Sequence, residues 1–452
     1  MPTAPTSAAE LIALLRKSGV ASSQKLALAT AMSLPDEPQQ AAAALVTSGV
    51  ITRFQAQQLL AGRHKGFRLG SYAILDLLGR GGMGAVYLAE HLSLHRKVAI
   101  KVLITGKNDD QRLALEAFQQ EARSVAALDH PNIVRIFDVA THNDTPFLVM
   151  EYVEGESLQQ LLDRSGPISY PIATEYIAQV AAGLQHAHER GFIHRDIKPA
   201  NLMRDRNGTI KILDMGLARA TTPDNASGSR DSGEVAGTAD FIAPEQGMNL
   251  ATDSRADIYA LGATFFALIA GKPPFEGDTP FQKLLQHQLK TPQTLSSLNP
   301  SVPVEVSDVV AKMLEKKPDD RYQTPAEVIA ALAAWVGNSP RVVAGLARTN
   351  IAQRSSLQAT LAGITNTTSR RNSGSDIVAL AELPEEVEVD PSLSGQETAS
   401  VSGTNTDRGP NKSHPRPKPG GLLAKRRLIH IVIGVLALVV GALAGWLSFG
   451  QR

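Results

Sequence analysis

Five polar residues occur in an order that suits the transfer of a phosphoryl group from a nucleotide. They are Lys101 inside an apolar run, Glu121, Asp196 and Asn201 close together, and Asp214 after a second apolar run. Phosphoryl transfer needs a cation on the phosphates, oxygen ligands for a metal ion and a carboxylate that orients the attacking hydroxyl. No helix or strand requires these residues for its own formation. The set therefore predicts phosphotransfer chemistry.

A glycine-rich segment precedes these residues, from Leu78 to Val86, with Gly79, Gly81 and Gly84 inside it. Glycine lets the backbone approach phosphate oxygens because it has no Cβ. Dinucleotide-binding folds use the same spacing, but there the glycines open a helix. Here the next residues have the pattern of two hairpin strands, so a phosphate-covering hairpin is the preferred interpretation; the predicted strands are Ala85–Ala89 and Lys97–Leu103.

Lys101 follows the apolar residues 98–100, so it would place a charge in an otherwise apolar strand. Such a charge is costly unless it is paired. The predicted partners are a nucleotide phosphate and Glu121, which lies in a helical pattern over residues 111–128. The alternative is a solvated surface pair, which fits less well because both residues interrupt apolar faces.

The segment His194–Asn201 is far more specific than the glycine loop. Asp196 can align an attacking hydroxyl, Lys198 can neutralise the transferred group, and Asn201 can hold Mg²⁺. Asp214 is predicted to bridge the metal and the phosphates. It could instead merely begin a turn, but its spacing from Asn201 favours the metal.

Over about residues 72–335 the chain resembles the eukaryotic-like serine/threonine protein kinases of bacteria. The resemblance implies an α+β, bilobal fold with a strand-rich lobe before a helical lobe, and it implies ATP with Mg²⁺, or alternatively Mn²⁺, as cofactors. Lys198 beside Asp196 is similar to the serine/threonine pattern and not to the tyrosine pattern. We therefore expect a protein kinase domain at residues 72–336.

The resemblance also implies a set of nucleotide-binding positions besides the glycine segment and Lys101. Adenine would be enclosed by Val86, Ala99 and Met203. The back pocket would be guarded by Met150, and the edge of the base would be bound by backbone groups of Glu151 to Val153.

Other matching positions are expected to have structural roles. Asp257 would support the catalytic loop, and Arg321 would pair with Glu245. One position departs from the family, because Met215 stands where phenylalanine is usual. Methionine still fills an apolar site but is more flexible. The activation segment is expected to close at Gly237-Thr238 and Ala243-Pro244-Glu245.

Phosphorylation of the activation segment by the kinase itself is predicted, because Arg195 offers a cation to a phosphate there. The alternative is a polar loop whose hydroxyls are merely solvated. The candidate hydroxyls are Thr221, Thr222, Ser227, Ser229 and Ser232.

Composition limits the function classes. A net charge of +1, from 45 basic and 44 acidic residues, gives no overall footprint for nucleic acid, and no nucleic-acid partner is expected. The absence of cysteine excludes disulfides, thiolate metal sites and cysteine nucleophiles.

Residues 1–66 are expected to form a small helical module. Residues 15–22 resemble residues 45–52, which suggests two helical hairpins in which Gly19 and Gly49 end one helix while Ser22 and Thr52 cap the next. The ordinary use of helix-capping and helix-ending residues explains this local similarity better than a functional repeat does. Partner binding is a hypothesis for this module, although its sequence indicates no particular partner.

The sequence of the last part of the chain predicts a flexible linker followed by a membrane anchor. Residues 340–427 have the composition of a disordered juxtamembrane linker. Residues 428–447 carry no charge and are long enough to cross a hydrocarbon core of roughly 30 Å, so a transmembrane helix in the lipid bilayer is preferred over a buried soluble helix. Basic residues before the span place the kinase domain in the cytoplasm and the C-terminus outside.

The predicted function is that of a membrane-tethered serine/threonine protein kinase, which transfers the γ-phosphoryl group of ATP to protein hydroxyls and to itself. Its predicted partners are protein substrates bearing serine or threonine, with self-association through the kinase domain or the membrane helix. The alternative is a pseudokinase scaffold of weak activity, which the methionine at position 215 leaves open.

Overall fold

The computed structural model describes residues 3–81, 84–103, 120, 122–143, 145–215, 239–248, 250–337 and 339–347. Contacts divide the chain into two units, Met1–Asp376 and Ile377–Arg452, and every described residue belongs to the first. The predictions for Glu121, for residues 221–238 and for the membrane span at 428–447 therefore lie outside the described residues. Among the residues that are described, none lies in a helix of the length and hydropathy that a membrane crossing requires.

Four short helices open the described part of the chain. Ser22 and Thr52 begin helices by accepting a hydrogen bond from the backbone N–H three residues later. Gly19 ends the first helix at a left-handed φ of 61°, and Gly49 follows the third at 69°. These caps and stops are confirmed. The bounds are α1 Ala8–Ser18, α2 Ser23–Ala31, α3 Pro38–Thr47 and α4 Arg53–Leu60.

The helices share one apolar cluster, which explains why such short helices persist. Helices of this length are marginal alone and gain their stability from packing an amphipathic face. The buried members of the cluster include Leu11, Leu15, Leu45, Leu59 and Phe67, each at most 3% exposed.

An antiparallel sheet of six strands follows within the described residues, in the order β1-β2-β3-β4-β6-β5. The predicted hairpin strands around the glycine segment are confirmed, since β3 and β4 pair antiparallel with Val86 opposite Lys101. The strands are β1 Arg68–Leu69, β2 Tyr72–Gly81, β3 Gly84–His91, β4 Arg96–Leu103, β5 Ile136–His142 and β6 Thr145–Glu151.

The two faces of this sheet bury different clusters, as expected from the alternation of side chains along a strand. Ala99 and Leu103 of β4 face a cluster that includes Met203 and Leu213 of the helical lobe. Ile100 faces the opposite side, where its cluster includes Phe54 of α4. The inner face therefore borders the cleft between the lobes, and α4 covers part of the outer face.

The helical lobe is built around two long helices, Tyr170–His188 (α6) and Arg255–Ala270 (α8). One face of α6 is buried, with Ile177, Val180 and Leu184 each 0% exposed, and Gly191 follows the helix at a φ of 80°. The helices are α5 Leu158–Ser165, α6 Tyr170–His188, α7 Pro244–Gly247, α8 Arg255–Ala270, α9 Pro280–Leu289, α10 Leu295–Leu298, α11 Val304–Met313, α12 Pro325–Val336 and α13 Pro340–Leu346.

A small three-stranded sheet carries the catalytic segments, and its last two strands follow α6 in the sequence. Its strands are β7 Gly155–Ser157, β8 Leu202–Asp205 and β9 Ile210–Ile212, in that order. The loop with Asp196 and Asn201 runs directly into β8, and Asp214 follows β9 by two residues. The antiparallel pairing of β8 with β9 thus brings the catalytic loop and the Asp214 segment side by side.

The helix α13 corrects one predicted boundary. The linker was expected to begin at residue 340, but Pro340–Leu346 is helical, and Val342 and Leu346 are 0% exposed within the core of the helical lobe. The backbone carbonyl of Gly345 also accepts a bond of 2.9 Å from Nε2 of His130. The boundary was drawn from the polar composition of the whole tract, which hid the short apolar run at its start. The rest of the predicted linker lies outside the described residues.

Candidate active site

The glycine hairpin joins β2 to β3. Its described glycines differ in whether the fold itself leaves room for a Cβ atom. Gly84 has a φ of 140°, and a Cβ there would lie 1.9 Å from the backbone oxygen of Val102. A Cβ on Gly79 would meet nothing within 4 Å. The local fold therefore requires glycine at Gly84, whereas at Gly79 only a ligand that approaches the backbone closely would require it. Gly81 is exposed, and Leu78 is 46% exposed.

Lys101 and Asp214 come together from the two lobes. Nζ of Lys101 lies 2.9 Å from Oδ2 of Asp214, and the lysine side chain is only 8% exposed while the aspartate is 37% exposed. The buried lysine is therefore paired, as its position in an apolar strand demanded. Its pairing with Glu121 stays a prediction because that residue lies outside the described residues.

Asp196, Lys198 and Asn201 form one hydrogen-bonded group in the catalytic loop. Oδ2 of Asp196 lies 3.0 Å from Nζ of Lys198 and accepts a bond of 2.8 Å from Nδ2 of Asn201. Nδ2 of Asn201 also donates to the backbone oxygen of Asp196 at 2.8 Å. Both side-chain contacts end on Oδ2, so Oδ1 is the oxygen that can face a substrate hydroxyl.

The carboxylate of Asp257 holds the start of this loop. It accepts bonds from the backbone N–H of His194 at 2.8 Å, from the backbone N–H of Arg195 at 2.7 Å and from Nε2 of His188 at 2.8 Å. Arg195 has a left-handed φ of 67°, an unfavourable conformation that these bonds help to retain. The role predicted for Asp257 as a support of the catalytic loop agrees with this geometry.

Burial and hydrogen bonding act in opposite directions on Asp257. Its complete burial favours the neutral acid and acts to raise the pKa, but the bond from His188 and the backbone bond from His194 outweigh it, and the pKa is lowered from the usual value. The carboxylate thus stays ionised, and its negative charge strengthens the bonds that hold the loop.

A further pair of bonds connects the loop to the Asp214 segment. Nε2 of His194 donates to the backbone oxygen of Leu213 at 2.7 Å, and the backbone N–H of Leu213 donates to the backbone oxygen of Asn201 at 2.9 Å. Asp214 follows at a left-handed φ of 53°, and Met215 beside it is 3% exposed in the core of the helical lobe. The methionine therefore fills the expected apolar site.

The predicted metal ligands offer oxygen atoms, which are the donors that Mg²⁺ prefers. Asp214 contributes a carboxylate. Asn201 contributes its side-chain oxygen, since both of its side-chain bonds among the described residues use Nδ2. No group of three or more His, Cys, Asp or Glu residues in the described ranges forms a metal cluster. The donor set therefore fits a magnesium ion that is shared with a polyphosphate and suits a protein-only metal cage poorly.

An apolar cluster beside this site contains the side chains expected around adenine. Ala99, Met150 and Val153 are buried, and Val86 and Met203 pack against the same cluster. The backbone N–H of Glu151 is bonded to the backbone oxygen of Arg135 at 2.9 Å. A base at this edge would therefore bind to the other backbone groups of the Glu151–Val153 segment.

Arg321 and Glu245 meet in a buried bidentate ion pair, as the family resemblance implied. The two nitrogen–oxygen distances are 2.7 and 2.8 Å, and the arginine side chain is 0% exposed. Such a pair fixes the segment that precedes α8 relative to the end of the helical lobe.

Several supporting contacts were missed from the sequence. Nε2 of Gln246 donates to the backbone oxygen of Arg195 at 3.0 Å, and Nζ of Lys211 lies 2.7 Å from the carboxylate of Glu151. His188 and His194 also had no assigned role. These residues carry no local signal, because each acts on a backbone or side-chain group far away in the sequence.

Comparison with known proteins agrees with this architecture. The family model described as the protein kinase domain matches residues 72–331, more than half of the chain. The chain therefore belongs to the protein kinase family, and its predicted recognition as a bacterial eukaryotic-like serine/threonine kinase is confirmed by the relatives that it matches.

Three of these relatives are bacterial serine/threonine-protein kinases. PknB of Mycolicibacterium smegmatis is 38% identical over 288 residues, covering 62% of this chain and 46% of the relative. PknB of Mycobacterium tuberculosis is 38% identical over 273 residues, with coverages of 60% and 43%. PrkC of Bacillus subtilis is 38% identical over 262 residues, with coverages of 58% and 40%. The match spans less than half the length of each of these relatives.

Proposed function

We propose that the protein is an ATP- and Mg²⁺-dependent serine/threonine protein kinase that is tethered to a membrane by residues 428–447. The observation that carries the catalytic part is the pairing of Lys101 with Asp214 at 2.9 Å, because it brings the cation of one lobe to the carboxylate of the other. This is the arrangement in which a polyphosphate can be held between the glycine hairpin and the catalytic loop.

Each charged group in the cleft has a part in the reaction. Lys101 binds nonreacting phosphates, and Lys198 neutralises charge on the phosphoryl group that moves. Asp196 accepts a hydrogen bond from the serine or threonine hydroxyl and aligns it for attack. Asn201 and Asp214 hold Mg²⁺, which supplies charge neutralisation on the phosphates when it is bound.

Phosphotransfer with labelled ATP tests the catalytic part. The wild-type protein should incorporate phosphate into a serine- or threonine-bearing protein, and Asp196→Asn should lose that incorporation while it still binds nucleotide. Asn keeps the shape of the side chain but lacks the charge that orients the hydroxyl. Nucleotide binding without incorporation by the wild type would instead identify a scaffold.

Autophosphorylation of the activation segment is the regulatory part of the proposal. It is supported by the hydroxyl-rich sequence between Thr221 and Ser232 and by Arg195 beside the catalytic aspartate. Peptide mapping of the active enzyme should find phosphate in this segment and none in the Asp196→Asn protein. Active enzyme without phosphate there would refute this part alone.

The membrane part is supported by 20 uncharged residues that directly follow Lys425, Arg426 and Arg427. Full-length protein should remain in the membrane fraction after an alkaline carbonate wash. A variant with two arginines in the middle of the span should be released, because charges at the centre of a bilayer are strongly unfavourable. Release of the unaltered protein would exclude the tether without affecting the kinase proposal.

A further inference from the structure

The strand that leads into the glycine hairpin has one weakly paired edge. On the side away from β3, β2 pairs with β1 only at Tyr72 and Ala73. The backbone groups beyond Ala73 on this edge need other partners, because unpaired strand edges leave hydrogen-bonding groups unsatisfied.

The start of α4 supplies these partners. Nε2 of Gln55 donates to the backbone oxygen of Ile74 at 2.6 Å, and Oγ1 of Thr52 donates to the backbone oxygen of Leu75 at 2.5 Å. The backbone N–H of Ile74 donates to the backbone oxygen of Phe67 at 2.8 Å. The helical module thus continues the edge of the sheet where β1 ends.

These bonds meet β2 at an irregular point. Ile74 lies opposite Ala89 and Asp76 lies opposite Leu88, so Leu75 has no partner on β3 and forms a bulge. A second irregularity in the same strand leaves Leu78 without a partner, directly before Gly79. A bulge bends a strand and increases its twist, so the bulge bonded by Thr52 helps to determine the direction in which β2 enters the glycine turn.

Gln55 is suited to this contact because its two amide atoms serve different elements. Oε1 accepts a bond from the backbone N–H of Thr52 at 2.9 Å, completing the helix cap, and Nε2 is left to reach the strand. The side chain is 3% exposed, although it is polar. Beside it, Phe54 packs against Tyr87 of β3 with ring centroids 6.2 Å apart, so the same helix contacts both strands of the hairpin.

We infer that Thr52 and Gln55 form a clamp that positions the glycine hairpin for ATP. They are positioning residues, since they act on the nucleotide only through the backbone of β2. This inference rests on the proposed kinase function and assigns a role to the helical module, namely to set the affinity for ATP from the outer side of the strand-rich lobe.

The substitution Gln55→Glu separates the clamp from the helix cap. Glutamate keeps the acceptor for the Thr52 N–H but replaces the Nε2 donor with an oxygen that faces the Ile74 carbonyl. The KM for ATP should rise about threefold to tenfold, the range expected for the loss of one net hydrogen bond. The kcat at saturating ATP and the KM for a peptide substrate should stay unchanged.

Two variants serve as controls. Gln57→Glu makes the same chemical change at an exposed position of α4 and should leave the KM for ATP as in the wild type. Thr52→Ser keeps the hydroxyl and should also behave as the wild type. An equal KM for ATP in folded Gln55→Glu and Gln57→Glu would overturn the inference, as would a loss of folded protein with no change in the KM of the remainder.

Hydrogen exchange on the wild type gives a second test that needs no variant. Because coupling between two sites is reciprocal, a nonhydrolysable ATP analogue with Mg²⁺ should slow exchange of the Ile74 amide and of the amides of α4. Unchanged exchange there on saturation with the analogue would overturn the clamp. Failure of the wild type to transfer phosphate would defeat the proposed function instead, while the Kd of the analogue for wild type and Gln55→Glu would still report on the clamp.

Discussion

The catalytic loop is held from inside the helical lobe by a buried charge. The carboxylate of Asp257 receives two backbone N–H groups and an imidazole, and the bonds are charge-assisted. The glycine hairpin, by contrast, is held from outside the sheet by neutral groups, the hydroxyl of Thr52 and the amide of Gln55. Neutral hydrogen bonds contribute less than charged ones. The hairpin is therefore expected to adjust more easily than the loop, which suits a segment that must admit and release a nucleotide.

The largest effect should come from removing one partner of a buried ion pair in the helical lobe. Arg321→Met leaves the carboxylate of Glu245 buried without its cation, and the free energy of unfolding should fall by about 3–5 kcal/mol. The fall is measured by equilibrium unfolding in urea.

An exposed pair of the same chemistry is the matched control. Arg164 contacts Glu156 at 2.9 Å, but its side chain is 61% exposed. Arg164→Met should lower the free energy of unfolding by less than about 1 kcal/mol. Equal losses in the two variants would mean that burial does not distinguish the anchors of the helical lobe.

Asp257→Asn tests the other buried charge and has a kinetic signature. The amide can accept at one atom only, so the backbone N–H of either His194 or Arg195 loses its acceptor, at about 3 kcal/mol of stability. Because Asp196 would be displaced, kcat should fall roughly a hundredfold. The KM for ATP should change little, since the hairpin is anchored separately.

This kinetic pattern is the opposite of that expected for Gln55→Glu. Steady-state kinetics on both variants therefore sharpen the comparison between the two anchors. A large rise in the KM for ATP in folded Asp257→Asn would show that the two anchors are coupled and would contradict the separation.

The sequence predicted the local features and the types of the chemical groups. The roles of Gly19 in ending α1 and of Ser22 in beginning α2 could be predicted because capping depends on a few adjacent residues. The hairpin strands β3 and β4 could be predicted from their apolar pattern. The family resemblance supplied Asp257 and the pair of Arg321 with Glu245. The roles of the predicted site residues in binding and catalysis stay predictions that kinetics must test.

The features that were not predicted depend on register and on long-range contacts. Thr52 was predicted as a helix cap, but its bond to the backbone of Leu75 required knowledge of where β2 passes and where it bulges. Gln55 had no assigned role, because nothing in the sequence of a short helix distinguishes a buried glutamine from an exposed one. The helix α13 was missed because its stability comes from burial against the lobe and not from its own propensity.

Within the glycine hairpin, two glycines separate a folding requirement from a binding requirement. Gly84→Ala should lower the free energy of unfolding by up to about 3 kcal/mol, because its Cβ would overlap a backbone oxygen. Gly79→Ala should leave stability unchanged within about 0.5 kcal/mol, since a Cβ has room there. Its effect should be a higher KM for ATP. Thermal unfolding and kinetics on both proteins measure the difference, and equal destabilisation would contradict it.

The smallest effect concerns His287, a neutral buried anchor in the helical lobe. Nε2 donates to the backbone oxygen of Asp240 at 3.1 Å, and Nδ1 accepts from the hydroxyl of Tyr259 at 2.8 Å. Burial, with the charge of Lys316, lowers the pKa of His287 from 6.5 to about 4. Between these values the unfolded chain binds a proton that the folded protein does not, so stability falls as the pH falls.

Lowering the pH from 7 to 5 should therefore cost the wild type about 2 kcal/mol through this residue alone. His287→Gln keeps a donor for the Asp240 carbonyl but cannot titrate, so its free energy of unfolding should decline less steeply over the same interval. Parallel curves for His287→Gln and the wild type would show that this imidazole is protonated in the folded protein, and that the helical lobe does not hold it as a neutral anchor.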